Sequence, residues 1–167
     1  MLQGDQVTLR RVAGEDVAPL VELFAVPEVA EWWPGENLPR LQARLTGDDD
    51  EGVGLVIELH GRMIGFVQYF EEADPDYRHA SIDIVLHPDW CNRGLGTDAV
   101  RTLARHLFDD AGHHRITIDP AVVNARAIAS YRKVGFRDVG VMRRYERAND
   151  GTWRDSLLMD LLADELQ

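Results

Sequence analysis

The segment Cys91-Asn92-Arg93-Gly94-Leu95-Gly96-Thr97 has the composition to bind a phosphate. It lies between an apolar run, Ser81 to Leu86, and an amphipathic run, Asp98 to Phe108. Glycines let backbone approach an anion closely, and the first N–H groups of a helix lack internal partners and point at it. The helix dipole adds favourable potential there, and Arg93 adds a full positive charge. A carboxylate, Asp83, sits in the middle of the preceding apolar run. Alternation puts it on one face with Ser81 and Val85, opposite Ile82, Ile84 and Leu86. A carboxylate on a central strand is costly without a role or a partner; it either moves protons and binds cations, or caps an N–H or pairs with an arginine. A second carboxylate, Asp119, ends the β-branched run Arg115 to Ile118. Strand C-termini are where ligands bind in α/β sheets, although Asp119-Pro120 alone also reads as a turn starter.

Downstream stand Asn124-Ala125-Arg126-Ala127-Ile128 and Tyr131-Arg132-Lys133-Val134-Gly135-Phe136. Arg93-Gly94-Leu95-Gly96 and the Asn-x-x-Ala-x-x-x-Tyr-x-x-x-Gly-Phe pattern from Asn124 to Phe136 together resemble the GNAT superfamily of N-acetyltransferases. The resemblance runs from Val7 to about Leu162. It implies an α/β fold: a mixed, mostly antiparallel twisted sheet flanked by helices, with a V-shaped split between the fourth and fifth strands of that fold. Here those strands end near Leu86 and Ile118. It implies acetyl-CoA as the cofactor, held by Val85, Leu86, Cys91, Asn92, Arg93, Gly94, Leu95, Gly96, Thr97, Asn124, Ala127 and Tyr131. The amides of Arg93 to Thr97 would hold the pyrophosphate, and backbone N–H groups near Val85 would polarise the thioester. Tyr131 would return a proton to the departing thiolate as general acid. Ser81 occupies a place that often holds a glutamate in the superfamily, so the base falls to Asp83, with Asp119 as an anchor for the substrate amine. Cys91 stands where glutamine or arginine is usual; the transfer needs no covalent step, and the thiol reads as inert.

Trp32 and Trp33 follow Glu28 and Glu31 and precede Pro34-Gly35-Glu36. Adjacent residues of a helix point to different sides, so one indole is expected to pack and the other to line a groove. Glu31-Trp32-Trp33-x-Gly-Glu36, with Ile118-Asp119-Pro120 and Asn124-x-Arg126-Ala127-Ile128, is similar to the aminoglycoside 6′-N-acetyltransferase branch. That similarity implies a polycationic aminocyclitol acceptor bound by Trp32, Trp33, Glu36, Tyr69, Asp83 and Asp119. Asp83 sits one residue closer to the phosphate loop than in that branch, and the C-terminal hairpin, Met142 to Leu162, is longer. Other acceptors within the same chemistry are a polyamine, a siderophore hydroxylamine or a protein N-terminus. A non-catalytic acyl-CoA-binding regulator is the reading outside it.

These residues need elements to position them. Val7 to Arg11 reads as a strand, and Glu15 to Phe24 as a helix through Val17, Leu20, Val21 and Phe24. Pro27 restarts the chain as a short helix that Pro34 and Gly35 break, and Leu38 to Leu45 reads as another helical piece. Asp48 to Glu51 reads as a solvated loop. Val53 to Leu59 and Met63 to Phe70 form a hairpin around His60-Gly61-Arg62, and Ala80 to Leu86 is the next strand. The helix Asp98 to Phe108, the buried strand Arg115 to Ile118 and the helix Ala125 to Val134 follow. Asn124 caps that last helix and Gly135 ends it. Arg137 to Tyr145 and Thr152 to Leu162 pair around Asn149-Asp150-Gly151.

The 167 residues are expected to form one domain, 1–167. With 29 acidic and 18 basic residues the formal net charge is −11, which argues against nucleic acid as the main partner, since a duplex binder needs a basic face, and favours cationic ligands. An anionic cofactor must then find its positive charge locally, with Arg93, Arg101 and Arg126 as candidates. One cysteine leaves no internal disulfide and suits a reducing cytoplasm. The N-terminus lacks signal-peptide character, no apolar run is long enough to span a membrane, and no metal motif is seen. A small cationic amine is the expected partner, with no nucleic acid and no membrane, and the chain is expected to be a monomer or a homodimer.

Overall fold

The computed structural model describes residues 1–33 and 52–167. Its strands are β1 (Leu2–Gln3), β2 (Thr8–Arg11), β3 (Val53–Leu59), β4 (Arg62–Glu72), β5 (His79–Leu86), β6 (Arg115–Ile118), β7 (Arg137–Arg147) and β8 (Trp153–Leu162). The helices are α1 (Val17–Ala25), α2 (Pro27–Ala30), α3 (Leu95–Asp109) and α4 (Ala125–Arg132). The strands form one sheet in the order β1-β2-β3-β4-β5-β6-β8-β7. Every neighbouring pair is antiparallel except β5 and β6, which are parallel. A parallel pair needs a crossover, and α3 lies in it.

The parallel pairing is short. It holds at Ala80↔Ile116 and Ser81↔Thr117, whereas β5 stays paired with β4 as far as Gly65↔Leu86. Beyond Ser81 the two central strands part, and alternate N–H groups of β5 face the gap. The chain after Ile118 keeps to β8 instead: Leu157 N–H donates to the Pro120 carbonyl at 2.8 Å, and Ala121 bridges Ser156. This is the V-shaped split, and the short β1 makes its arms the fifth and sixth strands here.

Helices cover both faces of the sheet. On one face α3, with Ile128 and Tyr131 of α4, packs on Ile57, Val67, Tyr69, Ile82 and Ile116. On the other, Leu20, Leu23, Phe24 and Val29 of α1 and α2 pack on Phe66 and Val85. Asp98 is buried in α3 and accepts the backbone N–H groups of Asp5, Gln6 and Val7 at 3.1, 2.8 and 3.0 Å. That carboxylate ties the N-terminal turn to the helix after the phosphate loop.

The sequence patterns locate most elements, with displaced ends. The β3–β4 turn is His60-Gly61, both at positive φ (50° and 77°), the conformation of a tight type I′ hairpin. α3 begins at Leu95 rather than Asp98, because Gly94 takes the left-handed N-cap conformation and the glycine loop runs into the first turn. α4 ends at Arg132 rather than Val134. There Gly135 (φ 120°) donates to Arg132 and Phe136 to Tyr131, a Schellman ending. Leu38 to Leu45, Asp48 to Glu51 and Glu36 lie outside the described residues.

Candidate active site

The phosphate loop presents open backbone. Gly94 has φ 81°, which a side chain tolerates poorly. A Cβ built there would find only Gln6 Nε2, at 3.8 Å, so its outer surface is free for a ligand. The first internal helical bond near this end is Asp98 N–H to the Gly94 carbonyl, at 3.0 Å. The N–H groups of Leu95, Gly96 and Thr97 therefore remain for an anion, as a pyrophosphate requires. Thr97 Oγ1 lies 2.8 Å from Ser130 Oγ and ties this turn to α4.

A cavity of about 470 Å³ runs from this loop into the V. Val85, Leu86, Cys91, Asn92, Gly94, Gly96, Thr97, Asn124, Ala127 and Tyr131 line it. Arg126 and Lys133 line the α4 side and bring positive charge to a site for an anion. Asn124 caps α4, its Oδ1 accepting the Ala127 N–H at 3.2 Å. Loop, amides and cations together suit a long, phosphate-bearing molecule entering a split sheet.

A second cavity, also about 470 Å³, adjoins the first and shares Trp32, Trp33, Ile84, Asn124 and Tyr131 with it. Its polar lining is Gln68, Asp83, Asp119, Tyr145, Glu146 and Ser156. Gln68 Nε2 donates to Asp83 Oδ2 at 3.0 Å. Burial pushes the Asp119 carboxyl up to about 6; the facing Tyr145 hydroxyl opposes the rise, and the charges of Asp83 and Glu146 add to it. The Asp119 charge in turn pushes the Tyr145 phenol up to about 12. Burial, then Asp83 and Asp119, drive the Tyr131 phenol far above its ordinary value. Near neutral pH the junction thus holds an ionised Asp119 with the affinity of a working base and a phenol that keeps its proton.

Two side chains fix the roof of this cavity. Trp33 packs on Phe24 and Phe66, with ring centroids 5.3 and 5.9 Å away. Trp32 carries the Arg154 guanidinium 4.9 Å above its ring. Arg154 also grips Glu146 through two bonds of 2.8 and 2.7 Å and donates to the Glu31 carbonyl.

The acetyltransferase (GNAT) domain family model matches residues 6–137. The chain belongs to the GNAT acetyltransferase family. It is 32% identical to aminoglycoside N(6′)-acetyltransferase type 1 of Klebsiella pneumoniae, over 83% of this chain and 77% of that protein. It is 26% identical to spermidine N(1)-acetyltransferase of Escherichia coli (strain K12), over 95% and 87%. The solved structure of AAC(6′)-Ib in complex with paromomycin and acetyl-CoA superposes with a TM-score of 0.79 at 29% identity, covering 96% of each chain.

Within this GNAT enzyme the structure brings together Trp32, Trp33, Asp83, Asp119, Asn124 and Tyr131 around the junction of the two cavities. It leaves other predicted positions apart. Tyr69 pairs with Ile82 across the strands and is buried in the core on that face, away from Asp83; its neighbours Gln68 and Phe70 line the second cavity instead. Leu95 is buried in the core and offers only its N–H. Arg93 lies 5.0 Å over the Trp90 ring and outside the cavity lining, and Arg101 donates to the Gln167 carbonyl. Sequence reasoning missed Gln68, Tyr145, Glu146 and Ser156. Gln68 had a signal, being the one amide in the apolar run Met63 to Phe70. Tyr145 and Glu146 had none, because a register irregularity between Met142 and Glu146 sets their direction.

Proposed function

We propose that this GNAT enzyme transfers the acetyl group of acetyl-CoA to a primary amine, and that the acceptor is the 6′-amine of an aminoglycoside. The carrying observation is the meeting of an anion-binding cleft and a carboxylate-lined cavity at Ile84, Asn124 and Tyr131. Similarity to the aminoglycoside enzymes supports the acceptor class.

Acetyl-CoA, when bound, supplies the acetyl group as a thioester. Leu95, Gly96 and Thr97 offer amides to its pyrophosphate, and Arg126 and Lys133 add positive charge along the cleft. Alternate N–H groups of β5 past Ser81 face the gap, where they stabilise negative charge on the carbonyl oxygen. Asp83 and Asp119 draw the acceptor ammonium and take one proton, which frees the nitrogen lone pair to attack the carbonyl carbon. As the C–S bond breaks, Tyr131 would give its proton to the sulfur, and its phenolate would take the second proton from the nitrogen. The product is an amide that has lost the positive charge of the amine.

A polyamine acceptor is the second reading, supported by the similarity to spermidine N(1)-acetyltransferase. Thiol release measured with acetyl-CoA and kanamycin, tobramycin, spermidine or an N-terminal peptide separates the two. Turnover of the aminoglycosides alone supports the first reading. Faster turnover of spermidine or the peptide replaces it.

A further inference from the structure

Helix α2 has four residues, too few to hold its place by its own hydrogen bonds. It leads straight into Trp32 and Trp33, which line both cavities. Val29 packs it on the core, and its C-terminal end is held from the far end of the chain. Asn149 Nδ2 donates to the Ala30 carbonyl at 2.7 Å, and Arg154 Nη2 to the Glu31 carbonyl at 3.1 Å. Carbonyls at a helix C-terminus lack internal partners, and cations are favoured there. The β7–β8 hairpin therefore caps α2 across 119 and 123 residues of sequence.

Arg154 makes three kinds of contact at once. Its Nε and Nη2 donate to the two oxygens of Glu146 at 2.8 and 2.7 Å, its Nη2 reaches the Glu31 carbonyl, and its guanidinium stands 4.9 Å over the Trp32 ring. Glu146 and Arg154 are cross-strand partners at the end of the β7–β8 register irregularity. Only a planar fork grips both carboxylate oxygens and lies on an indole together; an ammonium cannot. The two side chains are 17% and 28% exposed, so water screens the pair less than a surface ion pair. Trp32 lines both cavities and Glu146 the second, whereas Arg154 lines neither. One cation outside the second cavity thus fixes two of its walls.

We infer that Arg154 is a positioning residue for the acceptor: it sets how tightly the acceptor binds by holding Trp32 and Glu146 in one arrangement, without touching the acceptor itself. This rests on the acetyltransferase reading above and holds whichever amine is the acceptor. Without the fork, the end of α2 loses its bond at Glu31, the Trp32 ring loses its cation, and Glu146 loses its fixed place. An acceptor must then order both walls as it binds, which costs affinity. The phosphate loop and α4 make no contact with Arg154, so the donor side is spared.

The test measures both KM values for wild-type protein, Arg154→Lys, Trp32→Ala and the double variant. Acetyl-CoA is the donor, and the acceptor is whichever of kanamycin, spermidine and an N-terminal peptide the wild-type protein acetylates fastest. Arg154→Lys keeps the charge beside Glu146 and removes only the fork, so it isolates geometry and is the variant that folds most readily. It is expected to raise the acceptor KM at least about fivefold while the acetyl-CoA KM stays within about twofold. The double variant should exceed the worse single variant by less than about twofold, because Arg154 acts through Trp32. An unchanged acceptor KM in Arg154→Lys overturns the inference and leaves the acetyltransferase reading intact. Equal rises in both KM values also overturn it, since Arg154 then supports the fold at large. Effects of Arg154→Lys and Trp32→Ala that multiply in full overturn it as well, since the two residues then act independently. Wild-type protein that releases no thiol with any of the three amines removes the acetyltransferase reading and the inference with it.

Discussion

At the scale of single residues, Asp119 joins reactivity to a cost in stability. Its carboxyl is raised to about 6, chiefly by burial. A base must be ionised to accept a proton, so kcat/KM for the amine should fall as the pH drops through about 6. The folding sign is opposite. Between about 4 and 6 the folded chain holds a proton that the unfolded chain has released, so stability declines as pH rises through that window. Asp119→Asn should therefore stabilise the fold at pH 7–8 by on the order of 1–2 kcal/mol, after discounting for partial exposure, while lowering kcat/KM at least about 100-fold. Urea unfolding and a pH–rate profile check the two halves, and a variant both less stable and fully active would refute the assignment. Gly94 carries a second prediction. With φ at 81° and its outer surface open, Gly94→Val adds backbone strain and blocks the approach of a phosphate. The acetyl-CoA KM should rise at least about tenfold, with the amine KM far less affected; an unchanged value would place the phosphates elsewhere.

At the scale of elements, the site depends on how α3 and β5 are held. Asp98→Ala would leave three backbone N–H groups of the N-terminal turn without their acceptor. A loss of about 3 kcal/mol in urea unfolding is expected, since buried carboxylate–amide bonds are among the stronger ones. Asp98 was read from sequence only as the start of an amphipathic helix, because its partners lie more than 90 residues away. The same limit explains the pattern of what sequence disclosed. Gly94, Asn124 and Gly135 were legible because local backbone geometry requires those residue types. Asp83 was legible because strand alternation assigns a face without knowledge of the partner strand. Tyr69 was misplaced because its face follows from pairing with Ile82, and a shift of one residue reverses every side chain. Tyr145 and Glu146 were hidden because an irregularity in the β7–β8 register, with Arg144 at φ 50°, turns the strand there. The arrangement of Arg154, Trp32 and Glu146 joins the β7–β8 hairpin to a segment more than 120 residues away and left no local trace.

At the scale of the whole molecule, charge is sorted by site. The chain carries −11 overall, yet Arg126 and Lys133 outnumber Glu28 on the first cavity, and Asp83, Asp119 and Glu146 stand on the second. An anion must cross a repulsive field to reach local cations, whereas a polycation meets attraction at long range and again at contact. Salt screens these interactions within about 10 Å at 0.1 M ionic strength. For the anionic donor, screening weakens both the long-range repulsion and the local attraction, and the two effects oppose each other. For a cationic acceptor both weaken together. Raising ionic strength from roughly 0.02 to 0.2 M should therefore increase the KM of a multiply charged aminoglycoside several-fold, while the acetyl-CoA KM moves much less. The dependence should also steepen with the number of charges on the acceptor, so a monoamine gives a shallower slope. Initial-rate measurements across the salt series with both amines decide it. Equal slopes would mean that only the contacts inside the second cavity matter and that the acidity of the rest of the surface has no part in gathering substrate.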